Sequence, residues 1–566
     1  MLADMTSSAM SPVSPDSAVF PDFTPTSGEA IRWTSSTFGA NRLAVRHRGG
    51  GVERLTFADA ATRSAELAKA LLASGVGKGT HVGVLAPNGP DWIVAMLAVS
   101  RIGAVAVLLN TYNKAGELAW VLRHADVQVL LTVDHHLGHD YLDRLEAAVP
   151  DLAGQCHERI LVESHPFLRA VWAWSTAEPS PDRCWVGRHD ALLARAGQAS
   201  NAILTAAEAE VSPADAMTIV YTSGSTSVPK GVVHGHGAVF RHACNLNPLR
   251  ELTEADVLYC AMPLFWIGGL SYALTAAMMC GATLVFHDQF EPGAALDIIE
   301  RERVTIVLGW PHLAKALADH PTFAGRDLSS LRTPIKALFE RDEGPAVPVA
   351  SSLGMTETLG PHTYGRPADP PPATDSYGRS IPGIEHKVID PFTAEDLPPG
   401  SEGEICVRGY SLMLGLYKRE RADAFTVDGW LRTGDRGWFD TDGHLHFQGR
   451  MGDVIKTSGM NVAPRDVELA LEASTEVALA FVTGIPHPER GEDVVAGVIL
   501  QPGATVDPED LRARVKVAIA SYKVPRHVVV LDGHSELPLL DSGKVDRRRL
   551  AAILCSRVEQ HQRQQP

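Results

Sequence analysis

Closely spaced cysteine pairs, which zinc sites and small disulfide frameworks use, are missing from this 566-residue sequence. Its seven cysteines are scattered: Cys156, Cys184, Cys244, Cys260, Cys280, Cys406 and Cys555. An odd, unpatterned set in a long chain is typical of reduced thiols. The sequence therefore predicts a cytoplasmic protein without a disulfide framework or a cysteine-bound zinc ion.

An excess of positive charge is missing as well. The chain has 51 Lys and Arg against 67 Asp and Glu, which gives a net charge of −16. Nucleic acids and anionic membranes favour proteins with a basic face. The composition therefore argues against either as the main partner, and solubility alone is enough to explain the acidity.

A long unbroken apolar run is the third absence. Residues 257–286 carry no charged side chain, but Pro263, Gly268, Gly269 and Gly281 interrupt them. A membrane-spanning helix needs about 20 consecutive apolar residues. We therefore expect no membrane span, and predict a short buried helix near residues 270–280 followed by a strand at 283–286.

The patterns that are present divide the chain into parts. Helical and strand-like runs alternate between about residues 42 and 286, which predicts α/β layers with mostly parallel sheets. They include a capped amphipathic helix in "LTFADAATRSAELAKALLASGVGKG" and strands in "THVGVLAPN" and "VQVLLTV". Beyond residue 449, "DVELALEA" and a run within 507–521 predict helices, and "VALAFVTGI", "EDVVAGVIL" and "HVVVL" predict strands. A Pro-, Asp- and Gly-rich stretch at 366–402 precedes the strand-like runs "GEICVRG" and "HLHFQG" of a small β-rich subdomain. We predict a flexible leader without signal-peptide features at 1–27, a large domain at 28–450 and a smaller domain at 451–566.

One loop has the composition of a phosphate-binding segment. "TSGSTSVPKG", residues 222–231, follows "AMTIVY", which reads as a buried strand. It is not the GxxxxGK[ST] loop, because Lys230 follows a proline. Glycine still permits a sharp turn, and hydroxyls and backbone N–H groups can donate to phosphate. The candidate residues are Thr222, Ser223, Gly224, Ser225, Thr226 and Lys230. Taken alone, the loop could equally be a polar surface loop.

Three further stretches supply matching chemistry. "SLGMTET" at 352–358 places Thr356 beside Glu357, a hydroxyl and a carboxylate suited to phosphate and Mg²⁺. "DGWLRTGDRGWFDTDGHLHFQGR" at 428–450 places Asp435 between two predicted strands, where it can accept hydrogen bonds from ribose hydroxyls, and adds Arg450 for phosphate. "LPLLDSGKVDRRRL" at 537–550 carries Lys544 after a Ser-Gly turn.

In this order, the motifs resemble those of the adenylate-forming superfamily, which includes acyl- and aryl-CoA synthetases, peptide-synthetase adenylation domains and beetle luciferases. The resemblance extends from about residue 28 to residue 550. It implies a fold with a large N-terminal domain of two α/β subdomains plus a β-barrel, and a small mobile α+β C-terminal domain. It also implies two half-reactions: a carboxylate attacks the α-phosphate of ATP, and a thiol then displaces AMP.

The resemblance implies a role for each motif. The 222–230 loop and Thr356 would hold the β- and γ-phosphates, and Glu357 would hold Mg²⁺. Asp435 would bind ribose with help from Arg450. Lys544 would bridge the attacking carboxylate and the α-phosphate. The catalytic set is then Lys230, Thr356, Glu357 and Lys544.

For the second half-reaction, "IKTSGMN" at 455–461 resembles the loop that approaches the thiol. The matching positions are Lys456, Gly459 and Asn461. The family's hinge is usually Asp or Lys, whereas this chain has Gly452, which absorbs backbone rotation readily.

By position, the acid pocket is predicted to be almost entirely apolar. Its candidates are Trp266, Gly268, Gly269, Gly309, Trp310, Met355 and Leu359, with Trp266 at a position where many relatives have histidine. Without an Arg or Lys for a second carboxylate, a fatty, aryl or ring-bearing monocarboxylic acid is expected. Some of these residues could instead be ordinary core.

One segment departs from the family pattern. Residues 333–351 are shorter than usual and lack the "GGAPL"-like turn that packs on adenine. Either "ERDEGPAVP" substitutes, or adenine is held differently, or activity is lost. We expect an AMP-forming acid–CoA ligase that uses ATP, Mg²⁺ and coenzyme A. The open alternatives are an acyl-AMP ligase that loads a carrier-protein thiol, an inactive nucleotide-binding regulator and, for assembly, a homodimer.

Overall fold

The computed structural model describes residues 20–49, 51–157, 159–174, 183–222, 229–309, 311–335, 352–365, 376–451, 455–457, 460–462, 464–487, 491–519, 523–539 and 545–564. The chain divides into two compact units, one of residues 1–386 and 407–431 and one of residues 387–406 and 432–566. The domain boundary predicted at 450/451 stays a prediction. Within the described residues, no helix is both long enough and apolar enough to span a membrane.

The helices are short to medium in length. In chain order they are α1 (Ser27–Phe38), α2 (Phe57–Ala73), α3 (Pro90–Arg101), α4 (Ala115–His124), α5 (Tyr141–Ala148), α6 (His189–Leu193), α7 (Asn201–Ala209), α8 (His236–Leu246), α9 (Ala276–Cys280), α10 (Pro292–Arg301), α11 (Pro311–Ala318), α12 (Pro464–Glu472), α13 (Pro508–Ala518) and α14 (Arg547–Gln564).

The strands up to residue 361 are β1 (Arg42–Arg48), β2 (Gly51–Thr56), β3 (His81–Leu85), β4 (Val105–Leu108), β5 (Val129–Val133), β6 (His135–His136), β7 (His139–Asp140), β8 (Ala170–Trp174), β9 (Gly187–Arg188), β10 (Ala216–Thr222), β11 (Lys230–Gly235), β12 (Val257–Cys260), β13 (Thr283–His287), β14 (Ile306–Leu308), β15 (Gly354–Met355) and β16 (Gly360–Pro361).

The remaining strands are β17 (Thr363–Tyr364), β18 (Ser376–Ser380), β19 (Ile384–Ile389), β20 (Gly403–Gly409), β21 (Gly415–Leu416), β22 (Leu431–Phe439), β23 (His444–Arg450), β24 (Ile455–Thr457), β25 (Met460–Val462), β26 (Val477–His487), β27 (Gly491–Leu500) and β28 (His527–Leu531). Strands β18 and β19 lie within the Pro-, Asp- and Gly-rich stretch at 366–402, ahead of the strand-like runs that the sequence predicts.

Local sequence explains why α2 forms where the pattern predicts it. Thr56 accepts a hydrogen bond from the backbone N–H of Asp59, and the Asp59 carboxylate accepts one from the Thr56 N–H, which makes a capping box. The helix buries Leu67 and Leu71 completely. It is followed by Gly75 at φ 84°, a left-handed conformation that glycine adopts without strain.

The first unit contains two sheets that contribute residues to one apolar cluster. Among the described strands, one sheet has the order β21-β11-β10-β4-β3-β5-β8-β9 and the other β14-β12-β13-β1-β2. From β10 to β9 the first sheet is parallel, which confirms the predicted α/β layering. Helix α3 is buried at nearly every position and joins an apolar cluster with residues of both sheets, as expected of a helix whose middle, residues 92–99, is apolar all round.

The start of the first unit includes part of the predicted leader. Phe23 stacks on Trp33 of α1 with ring centroids 5.7 Å apart, and Phe20 lies 5.0 Å from Phe23. These contacts connect residues 20–23 to the apolar cluster that contains α3.

The second unit is built from two groups of strands, in which β22 pairs antiparallel with β23 and β27 pairs antiparallel with β24 and β26. One group has the order β23-β22-β20-β19, and the other has the order β25-β24-β27-β26 with β28 parallel to β27. Helices α12 and α13 and strands β26 to β28 lie where the sequence predicts them. The large first unit, with its two sheets, and the small second unit agree with the predicted fold class.

Residues 257–286 form the predicted short elements, with one unexpected feature. A π-helix over Gly268–Thr275 leads into α9, and β13 follows. Gly269 lies so close to the preceding segment that a Cβ there would be 2.0 Å from the carbonyl oxygen of Pro263. A Cβ at Gly268 would be 3.1 Å from Sδ of Met262, which is a flexible side chain.

The Gly269→Ala substitution should therefore destabilise the protein, by at least about 2 kcal/mol in the free energy of unfolding, because backbone atoms must move. Gly268→Ala is the matched control and should cost clearly less. Urea denaturation followed by circular dichroism measures both. Equal effects of the two substitutions would contradict the packing role of Gly269.

Candidate functional site

The predicted phosphate loop connects two paired strands. Thr222 ends β10 and Lys230 begins β11, and these two residues lie opposite each other in the antiparallel pair. Ser223, Gly224, Ser225 and Thr226 lie outside the described residues. Because β10 is parallel to β4 and β3, its carboxyl end lies at the sheet edge where α/β proteins commonly bind ligands.

The Thr356–Glu357 pair lies in a tight turn. Strands β15 and β16 pair on either side of a 3₁₀ turn at Thr356–Thr358, and Leu359 adopts a left-handed φ of 64°. The buried hydroxyl of Thr358 donates to the carbonyl oxygen of Gly360 at 2.7 Å. This arrangement leaves Thr356 and Glu357 half-buried at the tip of the turn.

A histidine that sequence reasoning missed connects the 356–358 turn to β11, the strand that follows the predicted phosphate loop. His234 lies on β11, four residues after Lys230, and its Nε2 donates to the carbonyl oxygen of Thr356 at 2.8 Å. The backbone N–H of Met413 donates to the carbonyl oxygen of Glu357 at 2.9 Å. The end of the loop and the turn therefore share one hydrogen-bonded frame.

The charges in this frame are available for a ligand. Among the described residues, neither the Lys230 ammonium group nor the Glu357 carboxylate has a hydrogen-bond or ion-pair partner. A carboxylate beside a hydroxyl supplies the oxygen ligands that Mg²⁺ prefers. The described part of the chain has no group of three or more His, Cys, Asp or Glu able to enclose a metal. A Mg²⁺ ion here would therefore keep water or substrate phosphate among its ligands.

The second unit holds Asp435 and Arg450 as a pair. They face each other across β22 and β23, and Nε of Arg450 lies 2.8 Å from Oδ1 of Asp435. Nη1 of Arg450 also donates to the carbonyl oxygen of Thr433 at 3.1 Å. Asp435 is only 3% exposed. The adjacent guanidinium group of Arg450 compensates the charge of this buried carboxylate.

The prediction that Asp435 lies between strands is wrong, because it lies within β22. The strand accommodates the glycines on either side of Asp435: Gly434 takes φ 70°, and the pairing with β23 shifts register between Arg436 and Gly437. Such an irregularity lets a strand continue through a glycine-rich segment.

The predicted acid-pocket residues are distributed over several elements. Gly268 and Gly269 lie in the π-helix, Gly309 follows β14, and Met355 and Leu359 flank the 356–358 turn. Leu359 is fully buried. Trp310 lies outside the described residues.

Trp266 belongs to an aromatic group next to the π-helix. It packs edge-on against Phe265 at 5.5 Å and lies 6.2 Å from the ring of Tyr112, which is half exposed. Trp266 itself is half-buried, so its apolar surface is partly open.

Several predicted residues cannot be located. Lys544, Gly452, Gly459 and residues 336–351 lie outside the described residues. Lys456 and Asn461 face each other in the backbone pairing of β24 with β25. The roles predicted for these residues stay predictions.

Three histidines in the first unit form a buried group, which we call the histidine cluster: His234, His242 and His362. Each is 0% exposed, and burial lowers their pKa values to about 4, 3 and 3. His234 and His362 lie close enough to His242 to lower its pKa further. The histidine-rich "HGHGAVFRH" was a signal in the sequence, but nothing local indicated that His362 would join it.

Comparison with known proteins agrees with this architecture. Residues 31–417 match the AMP-binding enzyme family, and residues 466–544 match the AMP-binding enzyme C-terminal domain. The chain is 32% identical over 509 residues to indoleacetate–CoA ligase of Aromatoleum aromaticum, covering 88% of this chain and 93% of that protein. It is 32% identical over 510 residues to feruloyl-CoA synthase of an Amycolatopsis species, covering 89% and 94%.

Solved structures show the same fold. ATP-bound MatB from Rhodopseudomonas palustris gives a TM-score of 0.76 at 24% identity, covering 93% of this chain and 99% of that one. The o-succinylbenzoate CoA synthetase MenE from Bacillus subtilis, in complex with an acyl-adenylate, gives 0.70 at 26% identity, covering 92% and 97%. The fold and the site define an adenylate-forming enzyme. The chain belongs to the AMP-binding enzyme family and is an AMP-forming acyl-CoA ligase, with ATP and coenzyme A as substrates.

The histidine cluster predicts acid sensitivity. Because the folded protein keeps these rings neutral well below the ordinary pKa of 6.5, the unfolded chain binds more protons between pH 6.5 and about 3. Stability is therefore full above pH 6.5 and falls as the pH decreases through that window. Between pH 7.5 and 5.5 we expect a loss of about 1 kcal/mol for each histidine.

Thermal or urea unfolding at several pH values measures this loss. His362→Phe should reduce the slope, whereas His139→Gln, at an exposed position, is the control and should not. A wild-type stability that is flat from pH 7.5 to 5.5 would contradict the proposed protonation states.

Proposed function

We propose that this ligase activates a ring-bearing monocarboxylic acid with ATP and transfers the acyl group to coenzyme A, using the site on β10, β11 and the 356–358 turn. The observation that carries the proposal is the hydrogen bond from His234 to Thr356, because it places the end of the 222–230 loop and the Thr356–Glu357 pair in one frame. The Lys230 ammonium group and the Glu357 carboxylate, which have no ionic partner among the described residues, would then bind one nucleotide together.

Charge neutralisation is the main requirement of the first step. A carboxylate must approach a polyanion, so positioning and electrostatic stabilisation lower the barrier. Lys230 would contact the β- and γ-phosphates together with Thr222 and Thr356, and Lys544 would stabilise the charge between the carboxylate and the α-phosphate. The acid is already ionised at pH 7, so the step needs no general base.

Glu357 is assigned to Mg²⁺, with the hydroxyl of Thr356 nearby. When bound, Mg²⁺ neutralises phosphate charge and orients the pyrophosphate leaving group. The chain's own contribution is the turn that Thr358 and the Met413 N–H hold in place, because it presents the Glu357 carboxylate with no competing cation from the described part of the chain.

Asp435 and Arg450 are assigned to the nucleoside. An ionised Asp435 can accept hydrogen bonds from ribose hydroxyls. The ion pair with Arg450 supports that charged state although the carboxylate is almost fully buried.

The second step is assigned to the β24–β25 hairpin. Lys456, Gly459 and Asn461 would meet the thiol, and a glycine at position 459 would suit a narrow pantetheine arm because it has no side chain. Gly452 is proposed as the hinge of this step.

Two observations support a ring-bearing acid. The candidate pocket is mostly apolar, with the partly open face of Trp266 at its border. Relatives at 32% identity are named for indoleacetate, for the feruloyl group and for a propanoyl group on an octahydroindene ring. Each named acid carries a ring.

Pyrophosphate release from ATP and Mg²⁺ over a panel of fatty, aryl and alicyclic acids tests the proposal. Release should require a ring-bearing acid and should continue over many turnovers only with coenzyme A. Lys544→Ala should reduce release by at least about 100-fold, because it removes a charge contact made in the transition state. Lys516→Ala, at an exposed position on α13, is the matched control. Release that stops after one turnover despite coenzyme A would indicate a carrier-protein thiol instead.

Glu357→Gln tests the metal assignment. It keeps the shape of the side chain but removes the charge, so the Mg²⁺ concentration for half-maximal pyrophosphate release should rise by at least about tenfold. Mg²⁺-dependent binding of ATP, measured by calorimetry, should weaken in parallel. An unchanged Mg²⁺ requirement would exclude Glu357 as the metal ligand.

A further inference from the structure

The start of β11, where Lys230 lies, depends on support from neighbouring side chains. On one side β11 pairs with β10, where Gly231 lies opposite Tyr221. On the other side, among the described residues, β21 pairs with β11 only at residues 232–233, and the backbone N–H of Tyr417 donates to the carbonyl oxygen of Gly231 at 2.8 Å. Glycine weakens a strand because it has no side chain to pack. The position of Lys230 therefore depends on what packs against Gly231.

The ring of Tyr221 fills the space beside Gly231. A Cβ at Gly231 would lie 3.1 Å from Cζ and 3.2 Å from Oη of Tyr221, so the ring packs directly against the glycine backbone. An aromatic side chain opposite a glycine covers the bare backbone and stabilises the strand pair. Tyr221 therefore supports the residue next to Lys230, and it also directly precedes Thr222 at the other end of the phosphate loop.

A histidine at the end of α4 holds the hydroxyl of Tyr221. Nδ1 of His124 lies 2.7 Å from Oη of Tyr221. Burial raises the pKa of Tyr221, so the hydroxyl keeps its hydrogen at pH 7. Burial and, to a smaller extent, the charge of Lys418 lower the pKa of His124, so its ring is neutral at that pH. The hydroxyl can therefore donate to Nδ1, which is an acceptor when Nε2 carries the ring hydrogen.

The ring of His124 is itself fixed by two aromatic neighbours. It stacks on Trp120, one turn earlier in α4, with ring centroids 4.4 Å apart and planes at 17°. Tyr417 packs edge-on against it at 5.9 Å, and the hydroxyl of Tyr417 donates to Oδ2 of Asp126 at 2.8 Å. A side chain locked by its own neighbours can hold a second side chain in one position. His124 therefore connects α4 to the strand that leads into the phosphate loop.

We infer that His124 is a positioning residue for the ATP site: it fixes the ring of Tyr221, and that ring holds the start of β11 and with it the Lys230 ammonium group. This inference rests on the proposed ATP site and adds to it a residue 97 positions before Tyr221 in the chain. In this role His124 touches neither ATP nor the reacting atoms. Its loss should therefore weaken ATP binding and leave the binding of the acid and of coenzyme A nearly unchanged.

Two substitutions remove the hydrogen bond from opposite sides, Tyr221→Phe and His124→Leu. Each should raise the Kd for ATP with Mg²⁺, measured by calorimetry on the full-length protein without acid, by roughly threefold to tenfold, the range expected for one lost hydrogen bond. The KM values for the acid and for coenzyme A in pyrophosphate release should change by less than about twofold. His124→Asn places an acceptor near the position of Nδ1 and should restore most of the ATP affinity.

Tyr259→Phe is the matched control. Oη of Tyr259 lies 3.1 Å from Nδ1 of His287 with ring centroids 5.8 Å apart, so this pair resembles Tyr221 and His124. It lies on β12 and β13 of the other sheet, where Tyr259 packs in an apolar cluster with residues of α10 and α11. Tyr259→Phe should reduce the free energy of unfolding about as much as Tyr221→Phe does, but leave the Kd for ATP unchanged. Equal losses of ATP affinity in the two variants would show a purely structural role and overturn the inference.

The double variant with His124→Leu and Tyr221→Phe tests whether the two residues act through one contact. Residues that share a contact have non-additive effects. The double variant should therefore bind ATP about as well as either single variant. Losses that multiply would overturn the assignment of His124 to Tyr221.

Lys230→Ala separates this inference from the proposed function. Weaker ATP binding in Lys230→Ala and in both single variants supports the inference. Weaker binding in Lys230→Ala with unchanged binding in His124→Leu and Tyr221→Phe would overturn the inference and leave the proposed ATP site in place. Unchanged ATP binding in Lys230→Ala would overturn both, because the inference acts through the Lys230 ammonium group.

Discussion

The hydrogen bond from Nε2 of His234 to the carbonyl oxygen of Thr356 is the contact on which the site depends. It joins segments 122 residues apart in the sequence and connects the strand after the phosphate loop to the turn that carries Glu357. The His234 ring is fully buried and Thr356 is half-buried, and a hydrogen bond in a low-dielectric interior is stronger and costlier to break. A second link runs through residues 413 and 414: the Met413 N–H donates to the carbonyl oxygen of Glu357, and the Leu414 N–H donates to the carbonyl oxygen of Val233 on β11. Together these hydrogen bonds fix the position of the turn relative to β11.

Packing requirements fix several of the residues proposed for the acid pocket. Gly269 is a candidate for that pocket, yet its contact with the backbone of Pro263 already requires a glycine. Leu359 is fully buried and occupies a left-handed position that closes the 356–358 turn. Backbone geometry and packing therefore account for these two positions, whichever acid the enzyme binds.

Much of the fold followed from local patterns. The capping residues and apolar spacing of α2, and the apolar runs of β3, β5, β26, β27 and β28, identified those elements, because helix caps and strand alternation act over a few residues. Asp435 was misplaced for the same reason: glycines nearby favour a turn, and only pairing with β23 turns the segment into a strand with a bulge. The order of the motifs identified the family, since each motif combines residue types that phosphate and carboxylate chemistry require.

The sequence by itself determined the chemical groups of the site, their order along the chain and the layered α/β class. Only the tertiary structure decided which groups meet. His234 and His242 looked like two of many histidines until the fold buried them beside His362, and burial is what keeps them neutral. Charge state, tautomer and unsatisfied hydrogen bonds depend on neighbours contributed by distant segments and on the exclusion of water. Local sequence specifies neither the distant neighbours nor the exclusion of water, because these arise only when the chain is folded.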